Sequence, residues 1–487
     1  MMQLPVEFSE YMRHLLGENE FEALSEALQT DPSVSIRVNP WKWQDDFFSA
    51  SYASVPWAEG AYYLPTRLPF TFDPLFHAGC YYVQEASSMF VHRVLKSYLP
   101  CACRMLDLCA APGGKSTLLR AALPDGSLLV SNEIIRTRAQ VLAENMIKWG
   151  HPDVVVTQNA PSDFVSLGQF FDVILADVPC SGEGMFRKDA ESVGEWSMGN
   201  VDVCWQRQRS IVADAWECLK PGGVFIYSTC TYNAWEDEEN VRWMIQQFGA
   251  EALSVPIEEE WGIKGDVTRR EPLLPVYRFL PSCVQGEGFF LAVLRKPVED
   301  APESEQAFSS VKQDFGGKKE RKLQKSMRAD KRKVNKSAVP SYDICRTWLA
   351  HSEDYAWTVS EDSVSSIPVQ WSIVLEHLKQ HLLVLHAGVT VASLKGRDWT
   401  PHHALAMSRC MHPSAFPPYE LDYESAIAYL RHESVVLSME APRGYLLLTY
   451  RGVPLGFVKN VGNRANNLYP AEWRIRSSHV PEVPVSL

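Results

Sequence analysis

Two cysteines stand where a covalent chemistry would need two thiols. Cys180 lies in Asp177-Val178-Pro179-Cys180, and Cys230 lies in Ser228-Thr229-Cys230-Thr231-Tyr232. Each follows an apolar run that reads as a buried strand, Phe171–Ala176 and Val224–Tyr227. In an open α/β sheet, ligands bind at the carboxyl ends of strands. A thiolate is a good nucleophile and forms covalent intermediates readily. Asp177, also at a strand end, adds a carboxylate to the pair.

A glycine-bearing loop upstream indicates the cofactor. It reads Leu106-Asp107-Leu108-Cys109-Ala110-Ala111-Pro112-Gly113-Gly114-Lys115-Ser116-Thr117. An apolar run precedes it, and Leu118–Ala122 continues as a helix start. Gly113 and Gly114 allow a tight turn and close approach of the backbone to a ligand. Glu133, at the end of the run Ser127–Val130, is spaced to accept hydrogen bonds from ribose hydroxyls. Gly114-Lys115-Ser116 resembles the end of a P-loop, but Cys109 occupies the place of that motif's first glycine. The full dinucleotide fingerprint is absent too. What remains is a nucleoside site without a diphosphate cradle, and S-adenosylmethionine fits it. Cys109, Ala110, Ala111, Pro112, Gly113, Gly114, Lys115, Glu133 and Asp177 are the candidate cofactor contacts.

The elements that must position these residues alternate as strand and helix, which predicts a parallel sheet. Ile134–Trp149 and Val201–Leu219 read as helices, and Pro281–Val284 with Gly288–Leu294 as a closing hairpin. Before this core, Val6–Leu28 reads as helix and Val34–Val38 as strand. Glu239-Asn240-Val241 sits in an acidic helix-like stretch, Trp235–Phe248, which reads as a solvated face.

Several segments in order carry a family resemblance. They are Ser35-Ile36-Arg37-Val38-Asn39-Pro40, then His77 to Met89, the glycine-bearing loop, Asp177 to Asp189, and Tyr227-Ser228-Thr229-Cys230-Thr231. Together they resemble the Sun-type RNA (cytosine-5) methyltransferases, most of all the bacterial 16S ribosomal RNA enzymes of the YebU (RsmF) type. The likeness spans roughly residues 30–297 and continues more loosely beyond. It implies a Rossmann-like methyltransferase core, a small N-terminal α/β domain and a C-terminal PUA-like RNA-binding region. It further implies that Asn159, after the Val154–Thr157 run, lies near the adenine amino group. Lys115 is implied to touch the target nucleotide as well as the cofactor loop.

The reaction implied has its own logic. Carbon 5 of cytosine is a poor nucleophile until a thiolate adds to carbon 6. Carbon 5 then attacks the sulfonium methyl. Its proton must leave, and the enzyme thiol must be expelled. Cys230, Cys180 and Asp177 suffice for nucleophile, release and acid near N3. Spacing does not decide which cysteine attacks. DNA cytosine-5 methyltransferases use the cysteine of a Pro-Cys pair, which favours Cys180; the family resemblance favours Cys230.

Composition bounds the remainder. At 487 residues, two to four domains are expected. The expected boundaries are 1–75 for RNA positioning, 76–297 for catalysis, 298–340 as a basic linker, 341–420 as an intermediate domain and 421–487 as the PUA-like module. Eleven cysteines without regular spacing argue for a reducing compartment, so the protein is expected in the cytoplasm. No long apolar run or signal peptide is evident. Net charge is −12, yet Lys312–Lys336 holds 11 Lys/Arg against 3 Asp/Glu. RNA contact would come from such local basic patches. Lys459-Asn460-Val461-Gly462-Asn463-Arg464, after a hairpin over Tyr445–Val458, is another candidate. His402, His403, Cys410 and His412 fit no zinc spacing, and no metal is expected. The reading is therefore a monomeric RNA cytosine-5 methyltransferase, with 16S ribosomal RNA favoured. A transfer RNA or multi-site ribosomal enzyme, or a non-catalytic assembly factor, are the alternatives. On this reading the cofactor belongs to residues 76–297 alone, and loss of residues 341–487 would leave its affinity nearly unchanged.

Overall fold

The computed structural model describes residues 3–43, 51–298, 340–477, 480–481, 483–485 and 487. The basic run Lys312–Lys336 lies outside the described residues.

The central sheet has nine strands. In chain order they are β1 (Arg104–Asp107), β2 (Leu128–Asn132), β3 (Val154–Thr157), β4 (Phe171–Asp177), β5 (Leu219–Thr229), β6 (Glu251–Leu253), β7 (Val276–Phe279), β8 (Phe289–Arg295) and β9 (Val384–Ala387). Their spatial order is β7-β8-β5-β4-β1-β2-β3-β9, with β6 also paired to β8. β1 to β5 run parallel, while β7, β8 and β9 join antiparallel. The chain winds one way through β1, β2 and β3, then reverses through β4 and β5. The crevice for a ligand therefore opens at the carboxyl ends of β1 and β4.

Both faces of this sheet are covered, which is why its strands are apolar throughout rather than alternating. Leu129, Val156, Val173 and Ile226 belong to one core, and Leu106, Val130, Val155 and Ile174 to the other. The helix Met198–Cys218 starts at Ser197, whose Oγ accepts from Asn200 N at 3.2 Å.

Three differences from the sequence reading have clear causes. The N-terminal helix is split into Val6–Leu16 and Glu18–Ala27, because Gly17 adopts φ +90°. The closing hairpin uses Val276–Phe279 rather than Pro281–Val284. Pro281 has no N–H to offer a ladder, and the chain turns there instead. The third concerns the domains. The N-terminal sheet takes its third strand, Tyr81–Val83, from beyond residue 75. The catalytic sheet takes β9 from the segment expected to form an intermediate domain. Leu375, Leu378 and Leu382, on and just after the helix Ser372–His381, are buried in the same core as Phe164 and Phe171.

The other C-terminal elements are equally tied in. A four-stranded sheet over Tyr355–Pro401 packs with the helix His403–Met407. The final sheet is built on the hairpin Gly444–Tyr450 and Val453–Asn460. Its Leu446, Leu448 and Leu455 share a core with Ile36, Val38 and Tyr62 of the N-terminal sheet. At Gly150 a Cβ would fall 2.1 Å from the Met407 carbonyl oxygen, so only glycine allows this approach. No described helix is long and apolar enough to cross a membrane.

The expected solvated face at Trp235–Phe248 is also corrected. Its helix is Glu238–Phe248, and Glu236, Asp237, Glu238 and Asn240 are buried. The cause is Arg278 on β7, itself fully buried. It lies 3.0 Å from Asp237 and 2.5 Å from Glu238, and donates to the Tyr232 carbonyl at 2.6 Å. Burial alone would lower its pKa, but Glu238 and Asp237 outweigh that and raise it. Removing one partner of a buried ion cluster leaves unpaired charge, at about 3–5 kcal/mol. Arg278→Met should therefore cost stability on that scale in denaturant unfolding. The exposed pair Arg13–Glu18 should yield about 1 kcal/mol or less when broken by Arg13→Ala. Equal losses in the two variants would remove Arg278 from its structural role.

Candidate active site

The strand ends deliver most of the candidate residues to one crevice. β4 ends at Asp177, β5 at Thr229, and β1 at Asp107. Cys180 and Cys230, each just past a strand, face one another with their sulfurs 2.9 Å apart. Asp177 carries Lys115 Nζ on one carboxylate oxygen at 2.8 Å and Ser228 Oγ on the other at 2.7 Å. Lys115 also lies 5.2 Å from the centre of the Phe289 ring. Burial works to lower the lysine's pKa, but Asp177 outweighs it, so the ammonium is held charged. The hydrogen bond with Cys230, and then burial, push the Cys180 thiol well above its ordinary range. Either thiol can donate to the other.

Two buried carboxylates sew the thiol loops together. Glu183 Oε2 accepts from Thr231 Oγ1 at 2.6 Å, Tyr232 N at 2.7 Å and Asn233 N at 2.9 Å. Its Oε1 accepts from Trp196 Nε1 at 2.9 Å. Glu236 reaches the opposite way, accepting from Ser181 N at 3.0 Å and Gln208 Nε2 at 2.6 Å. Asn233 Nδ2 bridges the two, at 3.0 Å from Glu183 Oε1 and 2.8 Å from Glu236 Oε1. Burial, then the nearby Glu183, push Glu236 up to about 7. The N-terminal helices brace this assembly. Phe8 and Met12 pack with Phe186, Trp196 and Tyr232, and Tyr11 OH accepts from Ala234 N at 3.0 Å.

The glycine-bearing loop crosses from β1 into the helix Gly114–Ala122 through Gly113, at φ +116°. A Cβ on Gly113 would meet Leu142 at 3.3 Å. Glu133 is buried at the end of β2. Its carboxylate accepts from Ile135 N at 2.9 Å and pairs with Arg138 at 3.3 Å. Asn132 ties the ends of neighbouring strands, donating to Leu108 O at 3.1 Å and Asn159 O at 3.0 Å.

Asn159 is held by the C-terminal region. Its Nδ2 donates to Leu383 O at 3.2 Å, and its Oδ1 accepts from Leu383 N at 2.9 Å. Both ends of the amide are thus engaged by the C-terminal region. The sequence reading also passed over Asp107, Glu183 and Glu236. Asp107 had a visible signal, an acid ending an apolar strand run just before the loop. It accepts from Ser116 Oγ at 2.6 Å, while its Oδ1 is buried without a partner. Burial pushes it up to about 7, against the Ser116 hydrogen bond. Among the described residues no group of three His, Cys, Asp or Glu is placed to hold a metal. His403 packs instead against Tyr469 and Trp473.

A groove of about 1210 Å³ opens nearby, lined in part by Ser33, Arg67, Gln84, Lys188 and Gln285. Neither cysteine lines it.

Comparison with known proteins places this arrangement. Residues 102–295 match the model of the 16S rRNA methyltransferase RsmB/F, residues 4–86 the N-terminal domain of RsmF, and residues 416–475 the RsmF PUA domain. The ribosomal RNA small subunit methyltransferase F of Klebsiella pneumoniae (strain 342) is 30% identical over 467 residues. That match covers 93% of this chain and 92% of the relative. The chain belongs to the RsmF methyltransferase family. A relative of the same description from Aliivibrio fischeri (strain MJ11) is 29% identical, covering 90% of each chain. Among solved structures, a methyltransferase homologue from Pyrococcus horikoshii aligns at TM-score 0.52 and 25% identity, over 61% of this chain and 96% of its own. NSun6 from the same organism, solved with SFG, aligns at 0.51 and 21% identity, over 61% and 99%.

The cofactor of this methyltransferase is S-adenosylmethionine. The crevice fits it. Asp107 Oδ1 lacks a donor, Gly113 turns the loop at φ +116°, and Glu133 keeps a carboxylate at the end of β2. Asp107, the loop Cys109–Lys115 and Glu133 are the residues that would hold it.

The raised pKa of Asp107 fixes a sign. Folded Asp107 binds its proton up to about 7, whereas an unfolded Asp releases it near its ordinary value of about 3.9. The folded state thus holds the extra proton between these values. Its stability falls as pH rises through that window, and the penalty persists above it. In cofactor-free protein, Asp107→Asn should gain stability relative to the parent between about pH 5 and about pH 8. Denaturant unfolding at both pH values measures this; a difference that does not change with pH would refute it.

Proposed function

We propose that the protein methylates carbon 5 of cytidine in RNA, with 16S ribosomal RNA of the small subunit as substrate. The observation that carries this reading is the pair of thiols 2.9 Å apart, beside a carboxylate that holds a charged lysine. Two thiols this close suit a reaction in which one sulfur adds to a pyrimidine ring and the second assists its release.

In this reading Cys230 is the nucleophile. Cys180, 2.9 Å away, is placed to donate to the attacking sulfur. Addition forms the bond from Cys230 Sγ to carbon 6 and makes carbon 5 electron-rich. Lys115 places positive charge where the ring gains electron density, and Asp177 lies within reach of the N3 edge. The bound sulfonium supplies the electrophilic methyl group. Once Cys230 Sγ is bonded to carbon 6, Cys180 releases its own proton to solvent and as a thiolate takes the proton from carbon 5, while the bond from carbon 6 to sulfur breaks and returns Cys230 as a thiolate. A buried, preorganised site favours each step, because its dipoles need no rearrangement.

Arg67 and Lys188 of the larger groove would offer positive charge to the RNA backbone. The base alone carries little sequence information once flipped into a pocket, so site choice must come from surrounding contacts. The PUA domain offers one such surface. A second groove there, of about 590 Å³, is lined by Asn460, Asn463, Arg464 and Asn466 among others. The relatives' description as small-subunit ribosomal RNA methyltransferases supports the choice of substrate.

Two measurements test the chemistry. Cys180→Ser should trap a covalent protein–RNA complex that survives denaturing electrophoresis, while Cys230→Ser should form none and lose turnover. Trapping by Cys230→Ser alone reverses the roles; trapping by neither removes the adduct from the mechanism. Glu133→Ala should weaken S-adenosylmethionine binding by about 1.5–3 kcal/mol, the scale of a hydrogen bond to a charged group. Unchanged calorimetric affinity would take Glu133 out of the cofactor site.

A further inference from the structure

We propose that Leu383, carried by the C-terminal region, forms an apolar wall of the cofactor's adenine subsite beside Ile134 and Ile135. The inference rests on the S-adenosylmethionine reading and adds to it a residue from outside the methyltransferase core.

The argument starts at the sheet edge. A ribose held at Glu133, the carboxyl end of β2, leaves its purine to lie toward the next strand end. That end is β3, which is followed by Gln158 and Asn159. At this point the C-terminal region arrives. β9 pairs antiparallel with β3, and the residue just before it, Leu383, is fixed from three sides. Its carbonyl accepts from Gln158 N at 3.0 Å and from Asn159 Nδ2 at 3.2 Å, and its N–H donates to Asn159 Oδ1 at 2.9 Å. Asn159 thus positions Leu383 through both its amide nitrogen and its amide oxygen.

The side chains are divided with purpose. Leu382 is buried in the core, but Leu383 is 56% exposed. Ile134 and Ile135, which follow Glu133, are 55% and 50% exposed. The Gln158 side chain reaches the Ile134 carbonyl at 3.5 Å, which ties the two exposed segments to one residue. Three large apolar side chains held in water at the end of a clamped backbone are unfavourable until something flat and apolar covers them. The purine ring of the cofactor is such a group, and it would be held by ribose contacts at the adjoining strand end. This reverses the expectation that residues 341–487 leave cofactor affinity untouched.

The test uses the full chain and S-adenosylhomocysteine, measured by calorimetry. The clamp runs through the backbone of Leu383, so side-chain truncation leaves it in place. Leu383→Ala should weaken binding about tenfold and make the heat-capacity change of binding less negative, since less apolar surface is covered. Leu383→Met should restore most of the affinity. Ile373→Ala, at an 83% exposed apolar site on the same region, should change neither quantity. The inference is overturned if Leu383→Ala binds within about twofold of the parent with an unchanged heat-capacity term. It is equally overturned if Ile373→Ala weakens binding as much. A parent protein that binds no S-adenosylhomocysteine overturns the cofactor reading itself, and this proposal with it.

Discussion

Two carboxylates buried between two loops hold the chemistry in place. A pair of thiols at 2.9 Å has little attraction of its own, and each sits on a segment without regular structure. Glu183 starts on the Cys180 side and ties down the backbone after Cys230; Glu236 starts on the Cys230 side and ties down Ser181 after Cys180. The bonds are reciprocal, so neither loop can shift alone. Buried charge of this kind is costly unless every acceptor is filled. Here Asn233, Thr231, Trp196 and Gln208 fill them, and Glu236 escapes part of the cost by holding its proton up to about 7.

That arrangement explains why elements far apart in sequence converge on the loops. Arg278 arrives from β7 to hold the Tyr232 carbonyl and the acids at the start of the following helix. The N-terminal helices pack Phe8 and Met12 against Tyr232 and Trp196, so residues near the start of the chain help to fix the two sulfurs. An N-terminal segment expected to serve RNA alone is therefore also part of the scaffold of the site.

The sequence made the parallel strands legible, because strands covered on both faces are continuous apolar runs with polar residues at their ends. Asp177 and the two cysteines could be selected on that basis, and Lys115 from the glycine-bearing loop and the family resemblance; the fold brings all four into one crevice. What stayed hidden depended on partners remote in the chain. An acidic helix start reads as solvated until Arg278, some forty residues later, is known to lie against it. Asn159 reads as free until Leu383 appears beside it. Edge strands were the least legible, since β9 is short and its neighbour β3 is more than two hundred residues away. Periodicity carries no information about which edge a strand will join.

On the proposed reading, the same remote contacts bear on how one cytidine is chosen. The C-terminal region is anchored twice, through β9 on the catalytic sheet and through the final hairpin on the N-terminal sheet. The first is a backbone ladder backed by the buried Leu375, Leu378 and Leu382, the second is a buried apolar core, and at Gly150 the approach to the Met407 carbonyl excludes even a methyl group. The PUA domain is thus held in position by packed cores. A module on a flexible tether raises only the local concentration of RNA. One at a fixed distance from the thiols can admit a cytidine only when the surrounding RNA has a matching shape. Affinity and selection would then come from the same rigid placement. A base pocket that reads one nucleotide can still serve a single site, because the measuring is done by the separation between two surfaces.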